Sequence, residues 1–374
     1  MMASIVYVRA MEISNDGRIA KFMAAARGAG HTIAAIEWNR GNCPTPSREY
    51  ECYSYTRAAR YGAKWRNLMS FLQWWRFVFL SLWHRRKEID IVHSVDLDTV
   101  IPALVFCRIV GKRIVFDVYD HYADSRNISG VVGGIMSYIE RAAILMADIA
   151  ILVDDKRKQQ HRISHANDVI IIENVPERDA CCPSIEVASN RAIRLGYFGV
   201  LSDKKRGIEN LVQAAKMRGD VELIVAGLGP LSALCDEASR ECSRISYLGR
   251  LDHQRGMEEM CRVDVVVGLY YANNINHRYA APNKYYEHLM LGRPLLTSKG
   301  TPPGEKVVKY ATGWAIDDDL TSILSWIDQL TLSDIEARGH RAGALWKERF
   351  SNYNDGAVRG TYLERIAQLS EASD

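Results

Sequence analysis

The chain has no Cys-x-x-Cys pair, no cluster of cysteine and histidine at metal-ligand spacing, no internal repeat and no low-complexity tract. The first two absences argue against a zinc module, and the last two point to ordinary globular domains. Its eight cysteines, at 43, 52, 107, 181, 182, 235, 242 and 261, are expected to be reduced thiols, because 374 residues can build a core without staples. No apolar stretch is long enough for a bilayer: Leu68–Trp83 stops short of the required length and is interrupted by Arg76. Met1-Met2-Ala3-Ser4 runs directly into Ile5-Val6-Tyr7-Val8, without the basic, apolar and small-residue layout of a signal peptide, which predicts a cytoplasmic chain. A net charge of only +3 gives no support to a nucleic-acid partner.

What is present reads as a soluble enzyme with two domains: 48% hydrophobic and 25% charged residues over a length too great for one core. Strand-length β-branched runs at Ser4–Val8, Thr32–Trp38, Ile89–His93, Arg113–Asp117, Ile149–Val153 and Val169–Ile172 are separated by helical stretches such as Arg18–Arg27 and Gly134–Met146. The periodicity then fails through Pro176 and Cys181-Cys182-Pro183. It restarts at Ile193–Phe198, with later strands at Val221–Ala226, Ile245–Leu248, Val263–Leu269 and Pro294–Thr297. The expectation is an α/β protein of two Rossmann-like, doubly wound parallel-sheet domains facing a central cleft. Their bounds are read as 1–175 and 193–350, with a linker at 176–192 and a C-terminal helix, 351–374, that returns to the first domain.

The sharper signals lie in the second half. Leu195-Gly196-Tyr197-Phe198-Gly199 ends a strand in a glycine, and Lys204-Lys205-Arg206-Gly207 precedes the helical run Ile208–Met217. Three cations at a helix start suit a diphosphate, although a solvated basic turn has the same composition. Ala226-Gly227-Leu228-Gly229-Pro230 is a strand running into a glycine turn, and it lacks the third glycine of a dinucleotide fingerprint. Pro282-Asn283-Lys284 opens a short helix that Gly292 closes, with Pro282 expected at its first position. Asn283 and Glu287, four apart, share a face of that helix, where Glu287 is placed to accept from a ribose diol while the helix start and Lys284 meet phosphates.

These segments, with Tyr247-Leu248-Gly249-Arg250 and Pro-Asn-Lys-x-x-Glu-x-x-x-x-Gly-x-Pro, in order over about 100 residues, resemble the donor domain of family 4 glycosyltransferases. That resemblance implies the GT-B fold and a retaining, metal-independent transfer from a nucleoside-diphosphate sugar, UDP- or GDP-linked, with no cofactor. It implies that Arg206 and Lys205 hold the diphosphate as catalytic cations, that Gly199 makes room for it, and that Glu287 binds the ribose. Gly227, Gly229, Asn283 and Lys284 join the donor site, and the loop carrying Arg250 meets the base. Tyr279 stands where many members carry the first of two glutamates, which leaves Asn274 and its neighbours Asn273, Asn276 and His277 as alternative sugar contacts.

The first half resembles the same family. Asn15-Asp16-Gly17-Arg18 is similar to its Asp-x-Arg helix start, and Asp90–Asp96 to a strand-end motif, which implies acceptor-side roles for Asn15, Asp16, Arg18 and Asp96. Asp117-Val118-Tyr119-Asp120-His121 stands where the family often has Asp-x-His-Glu, making Asp120 and His121 the catalytic candidates of this half, although a lone histidine such as His121 is more often structural than catalytic. The implied acceptor is a saccharide or a lipid-linked one. Residues 65–87 carry tryptophans at 65, 74, 75 and 83, with flanking cations such as Arg57 and Lys87. Two readings stay open for them: peripheral membrane contact, or a helix buried under the sheet.

Overall fold

The computed structural model describes residues 2–41, 49–57, 64–163, 168–177, 191–202 and 206–371, without the side chains of 15 and 64–68. The central linker from 178 to 190, and with it Cys181 and Cys182, lies outside them, as do Cys43 and Lys205. The chain divides into two compact units, residues 1–173 with 353–374, and residues 174–352.

The first unit is built on strands β1 (Ser4–Arg9), β2 (Thr32–Asn39), β3 (Glu51–Thr56), β4 (Ile91–Val95), β5 (Arg113–Val118), β6 (Ile149–Leu152) and β7 (Val169–Ile171). They form one parallel sheet in the order β3-β2-β1-β4-β5-β6-β7. Helices cover both faces, so the central strands carry apolar residues on both sides, and β4 is buried throughout, its His93 and Ser94 included. One face packs Trp74, Val78 and Leu82 of the helix Lys64–His84, together with Phe106 and Ile144, against Val6, Val92 and Phe116. The other packs Phe22 with Val358, Tyr362 and Ile366, which the chain supplies after passing through the second unit. The Tyr362 hydroxyl lies 3.1 Å from that of Tyr7 and 3.0 Å from Nδ1 of His93, so this return is fixed by polar as well as apolar contacts.

The second unit holds β8 (Ile193–Phe198), β9 (Val221–Ala226), β10 (Ile245–Tyr247), β11 (Val265–Gly268), β12 (Leu295–Ser298) and β13 (Gly313–Ile316), parallel in the order β10-β9-β8-β11-β12-β13. In both sheets the winding reverses beside the first strand, between β1 and β4 and between β8 and β11. Ligands of open parallel sheets bind outside the carboxyl ends of the strands at such a reversal.

Cys52, Cys107, Cys235 and Cys242 are free thiols, but Cys261 is disulfide-bonded, which corrects the expectation of reduced cysteines throughout. Pairing depends on what the fold brings near, and sequence spacing does not report that.

Candidate donor site at the carboxyl ends of β8 and β11

At the reversal in the second sheet, β8 and β11 run side by side, with Tyr197 opposite Val267. A pocket of about 230 Å³ opens beyond their ends. It is lined by Tyr197, Phe198 and Gly199 at the end of β8, by Gly268, Leu269 and Tyr270 at the end of β11, by Arg206, and by Pro282, Asn283, Lys284 and Glu287 at the start of a helix. That helix spans Asn283–Met290; Pro282 is its N-cap, with extended ψ of 142°, rather than its first residue. The Pro282 carbonyl accepts from the Tyr285 amide and no side chain caps the helix, whose first residues, Asn283 and Lys284, line the pocket. At the other end Gly292, at φ 60°, turns the chain into β12, and the buried His288 ring bonds the Arg293 carbonyl at 2.8 Å.

Two cations enter the pocket from different elements. The Lys284 stem crosses Gly268, where an added Cβ would stand 2.9 Å from the lysine Cδ, and its ammonium donates to the Phe198 carbonyl. Burial lowers the lysine pKa; Glu287 opposes that shift and Arg206 adds to it. Arg206 stacks its guanidinium over the Tyr270 ring at 4.9 Å, which fixes a flexible side chain at the pocket edge. Beside it, burial pushes Tyr197 up to about 12, so its phenol stays neutral at physiological pH. Arg206, Lys284 and the helix start together make an anion site, and Glu287, one turn along the helix, supplies an acceptor for hydroxyls.

Of the residues singled out from the sequence, Gly199, Arg206, Asn283, Lys284 and Glu287 line this pocket, and Gly227, Gly229, Arg250 and Asn274 do not. The two glycines are demanded by close packing: a Cβ on Gly227 would lie 1.7 Å from the Gly199 carbonyl oxygen, and one on Gly229 would lie 2.3 Å from that of Leu201. They hold the loop after β9 against the loop after β8, and so place Gly199 indirectly. Arg250 is exposed beyond Gly249, whose carbonyl accepts from Gly227 at 2.7 Å. The Asn274 side chain caps the turn Ile275–Tyr279 by accepting from the Asn276 amide. Sequence reasoning missed Tyr197, Gly268 and Tyr270. Tyr270 had a signal, since it sits two residues beyond a strand of a parallel sheet.

In the first unit, the matching strand ends hold an ionic network. Arg9 bridges Asp16 at 2.8 Å and Asp96 at 2.6 Å, and the Tyr119 hydroxyl donates to Asp16 at 3.0 Å. Arg18 pairs with the buried Asp117 at 3.0 Å and donates to the Ile172 carbonyl at 2.7 Å. Asp16, Arg18 and Asp96 therefore come together, but bonded to one another and to backbone; Asn15 lies in the turn Ile13–Asn15 just before Asp16. Asp96 sits at φ 60°, a left-handed conformation for a non-glycine residue, held by the Tyr119 amide bonding its carboxylate at 3.0 Å.

Asp120 is half exposed and paired with the buried Arg157 at 2.6 Å. His121 is buried, 2.9 Å from Asp124 and 3.8 Å from Glu140, which also accepts from the Tyr122 amide. His161, 3.6 Å from Glu140, has no hydrogen-bond partner on either ring nitrogen; burial lowers its pKa to about 3 and raises that of Glu140. Among the described residues, His121, Glu140 and His161 form a group whose ligand atoms, within 4.8 Å of one another, have the spacing of a cation site.

Comparison of the sequence with protein-family models and with curated proteins finds no match. Comparison of the fold with solved structures does. The chain is similar to a sucrose-phosphate synthase from Thermosynechococcus elongatus, at TM-score 0.72 and 13% identity, covering 99% of this chain and 100% of that one. It is similar to the Anabaena protein HepE in complex with UDP and glucose, at 0.69 and 12%, covering 98% and 100%. It is also similar to the lipopolysaccharide outer core galactosyltransferase WaaB, at 0.68 and 13%, covering 98% and 99%. With two all-parallel α/β sheets and these neighbours, the fold is GT-B.

Proposed function

We propose that this chain is a glycosyltransferase of the family 4 type. Its second unit takes a nucleoside-diphosphate sugar, UDP-linked by preference, and its first unit presents a saccharide or lipid-linked acceptor. One observation carries the reading: Arg206, Lys284, a helix start without a side-chain cap, and Glu287 converge on one pocket at the strand reversal of the second sheet. The HepE complex, a structure of this fold with UDP and glucose, supports it by analogy.

In this mechanism Arg206 and Lys284, with Lys205 from outside the described residues, hold the diphosphate, and Glu287 takes the ribose. As the bond between the sugar and its phosphate lengthens, negative charge grows on the leaving diphosphate. The two fixed cations and the helix start stabilise that charge without a metal. The acceptor hydroxyl attacks from the leaving-group face and its proton passes to the departing phosphate, which retains the configuration. No protein nucleophile takes part, and Asp120 and His121, held by Arg157 and by Asp124 with Glu140, are given no step.

A thermal-shift panel of UDP, GDP, ADP and their sugars, followed by product analysis with and without acceptor, tests the reading. Stabilisation by a nucleoside diphosphate and sugar transfer only when acceptor is added are expected. No stabilisation by any of them, or conversion of the donor sugar without acceptor as an epimerase would do, overturns it.

A further inference from the structure

The helix Lys64–His84 divides its apolar residues between two sides. Trp74, Val78 and Leu82, four apart, sit in the core under the sheet. Leu72, Leu80 and Trp83 face outward, Leu72 at 50% exposure. Two neighbours on the same face of the sheet, the helices Leu97–Val110 and Gly130–Met146, share that core through Phe106 and Ile144 and continue the outward surface. Ile109 is 61% exposed on one; Val131, Ile135 and Tyr138 follow at helical spacing on the other, Val131 at 81%. Exposed apolar residues thus recur on three neighbouring helices, and soluble monomers seldom expose large apolar patches without a use for them.

The charges say what the surface meets. The helix Lys64–His84 contains no aspartate or glutamate. The single acids of its two neighbours, Asp98 and Glu140, are both buried. Arg76, Arg108 and Arg141 stand exposed among the apolar residues; in the run Arg85-Arg86-Lys87 after the first helix, Arg85 is already paired with Glu51 and Glu88 and is not counted with them. Arg108 donates to the Met146 carbonyl, tying the second helix to the end of the third. A face that is apolar, interleaved with cations and bare of exposed carboxylates complements an anionic lipid surface. No helix among the described residues is long and apolar enough to cross a membrane, so this contact is peripheral.

We propose that the outer face of these three helices docks the first unit on an anionic phospholipid bilayer, with Ile109, Ile135 and Tyr138 entering the headgroup layer and Arg76, Arg108 and Arg141 meeting lipid phosphates. This does not rest on the proposed glycosyl transfer, because the face lies in the first unit and nucleotide is read out in the second.

The test is co-sedimentation of the full chain with phosphatidylcholine vesicles, with or without phosphatidylglycerol. Binding to the anionic vesicles, weakened by salt, is expected. The exposed substitutions Ile109→Asp and Ile135→Asp together should lower the vesicle-bound to free ratio at least about tenfold. Arg76→Glu with Arg141→Glu should remove the preference for anionic lipid, while melting temperature and the nucleotide-induced thermal shift stay unchanged in both variants. Absence of binding, equal binding to neutral vesicles, or a wild-type dimer in solution that Ile135→Asp dissociates without altering vesicle binding would overturn the proposal.

Discussion

Arg206 and Lys284 reach the same pocket by different supports, an aromatic ring under one and a glycine under the other. The role given to Arg206 is strongest as charge develops on the leaving group. Arg206→Ala is therefore expected to lower kcat by about 100-fold or more while changing donor affinity by less than about tenfold. Steady-state kinetics with a separate binding titration check it, and equal losses in both would assign the arginine to ground-state binding only. Gly268→Ala pushes a methyl group against the lysine stem, and displacing that charged hydrogen bond should weaken nucleotide binding by about tenfold. Calorimetric titration, with the melting temperature as control, reads the effect. His288 supplies a pH test. Burial holds its imidazole neutral, with a pKa lowered from 6.5 to about 4. Between those values the unfolded chain binds the extra proton, so stability is complete above pH 6.5 and drains away as pH falls toward 4. His288→Gln should remove about 2 kcal/mol of the stability loss otherwise seen between about pH 6.5 and 4.5. Urea unfolding of the second unit at several pH values would measure it.

At the level of elements, strands buried on both faces were legible because parallel sheets write them as apolar runs. Two strands escaped. β3, at the sheet edge, alternates Glu51, Tyr53 and Tyr55 with Cys52 and Ser54 and is only partly buried, so it carries no such run. β13 has four residues, Gly-Trp-Ala-Ile, too few for a period to show. The site was legible where one short element carries several groups, as in Asn283, Lys284 and Glu287. It was less so where glycine signalled packing between loops: Gly227 and Gly229 looked like ligand contacts because both tasks require a missing side chain. For Gly227, at φ 144° with its neighbour's carbonyl 1.7 Å from a would-be Cβ, alanine should cost about 3 kcal/mol or more. Chemical denaturation distinguishes this from a ligand role, which would lower affinity and leave stability intact. The helix Lys64–His84 left two readings open because its apolar residues divide: Trp74, Val78 and Leu82 are core, as the buried reading expects, while Leu72 and Leu80 stay at the surface.

On the scale of the whole molecule, the first unit is discontinuous in sequence, taking its final pieces from 353–374. Removing everything after Asn352 strips Val358, Tyr362 and Ile366 from the core around Phe22 and leaves the Tyr7 hydroxyl and the His93 ring without their Tyr362 partner. Loss of several buried apolar side chains at about 2–5 kcal/mol each exceeds the margin of an ordinary domain. The truncated chain is expected to keep a protease-resistant fragment covering the second unit and to lose one covering the first, as limited digestion with mass spectrometry would show. The order of synthesis then runs against the order of completion. Ribosomes deliver all seven strands of the first sheet early, yet the segment that packs against its open side is made only after the whole of the second unit. The half made first must wait for the half made second, and a stalled nascent chain ending near residue 352 would be a target for chaperones at its beginning rather than at its end.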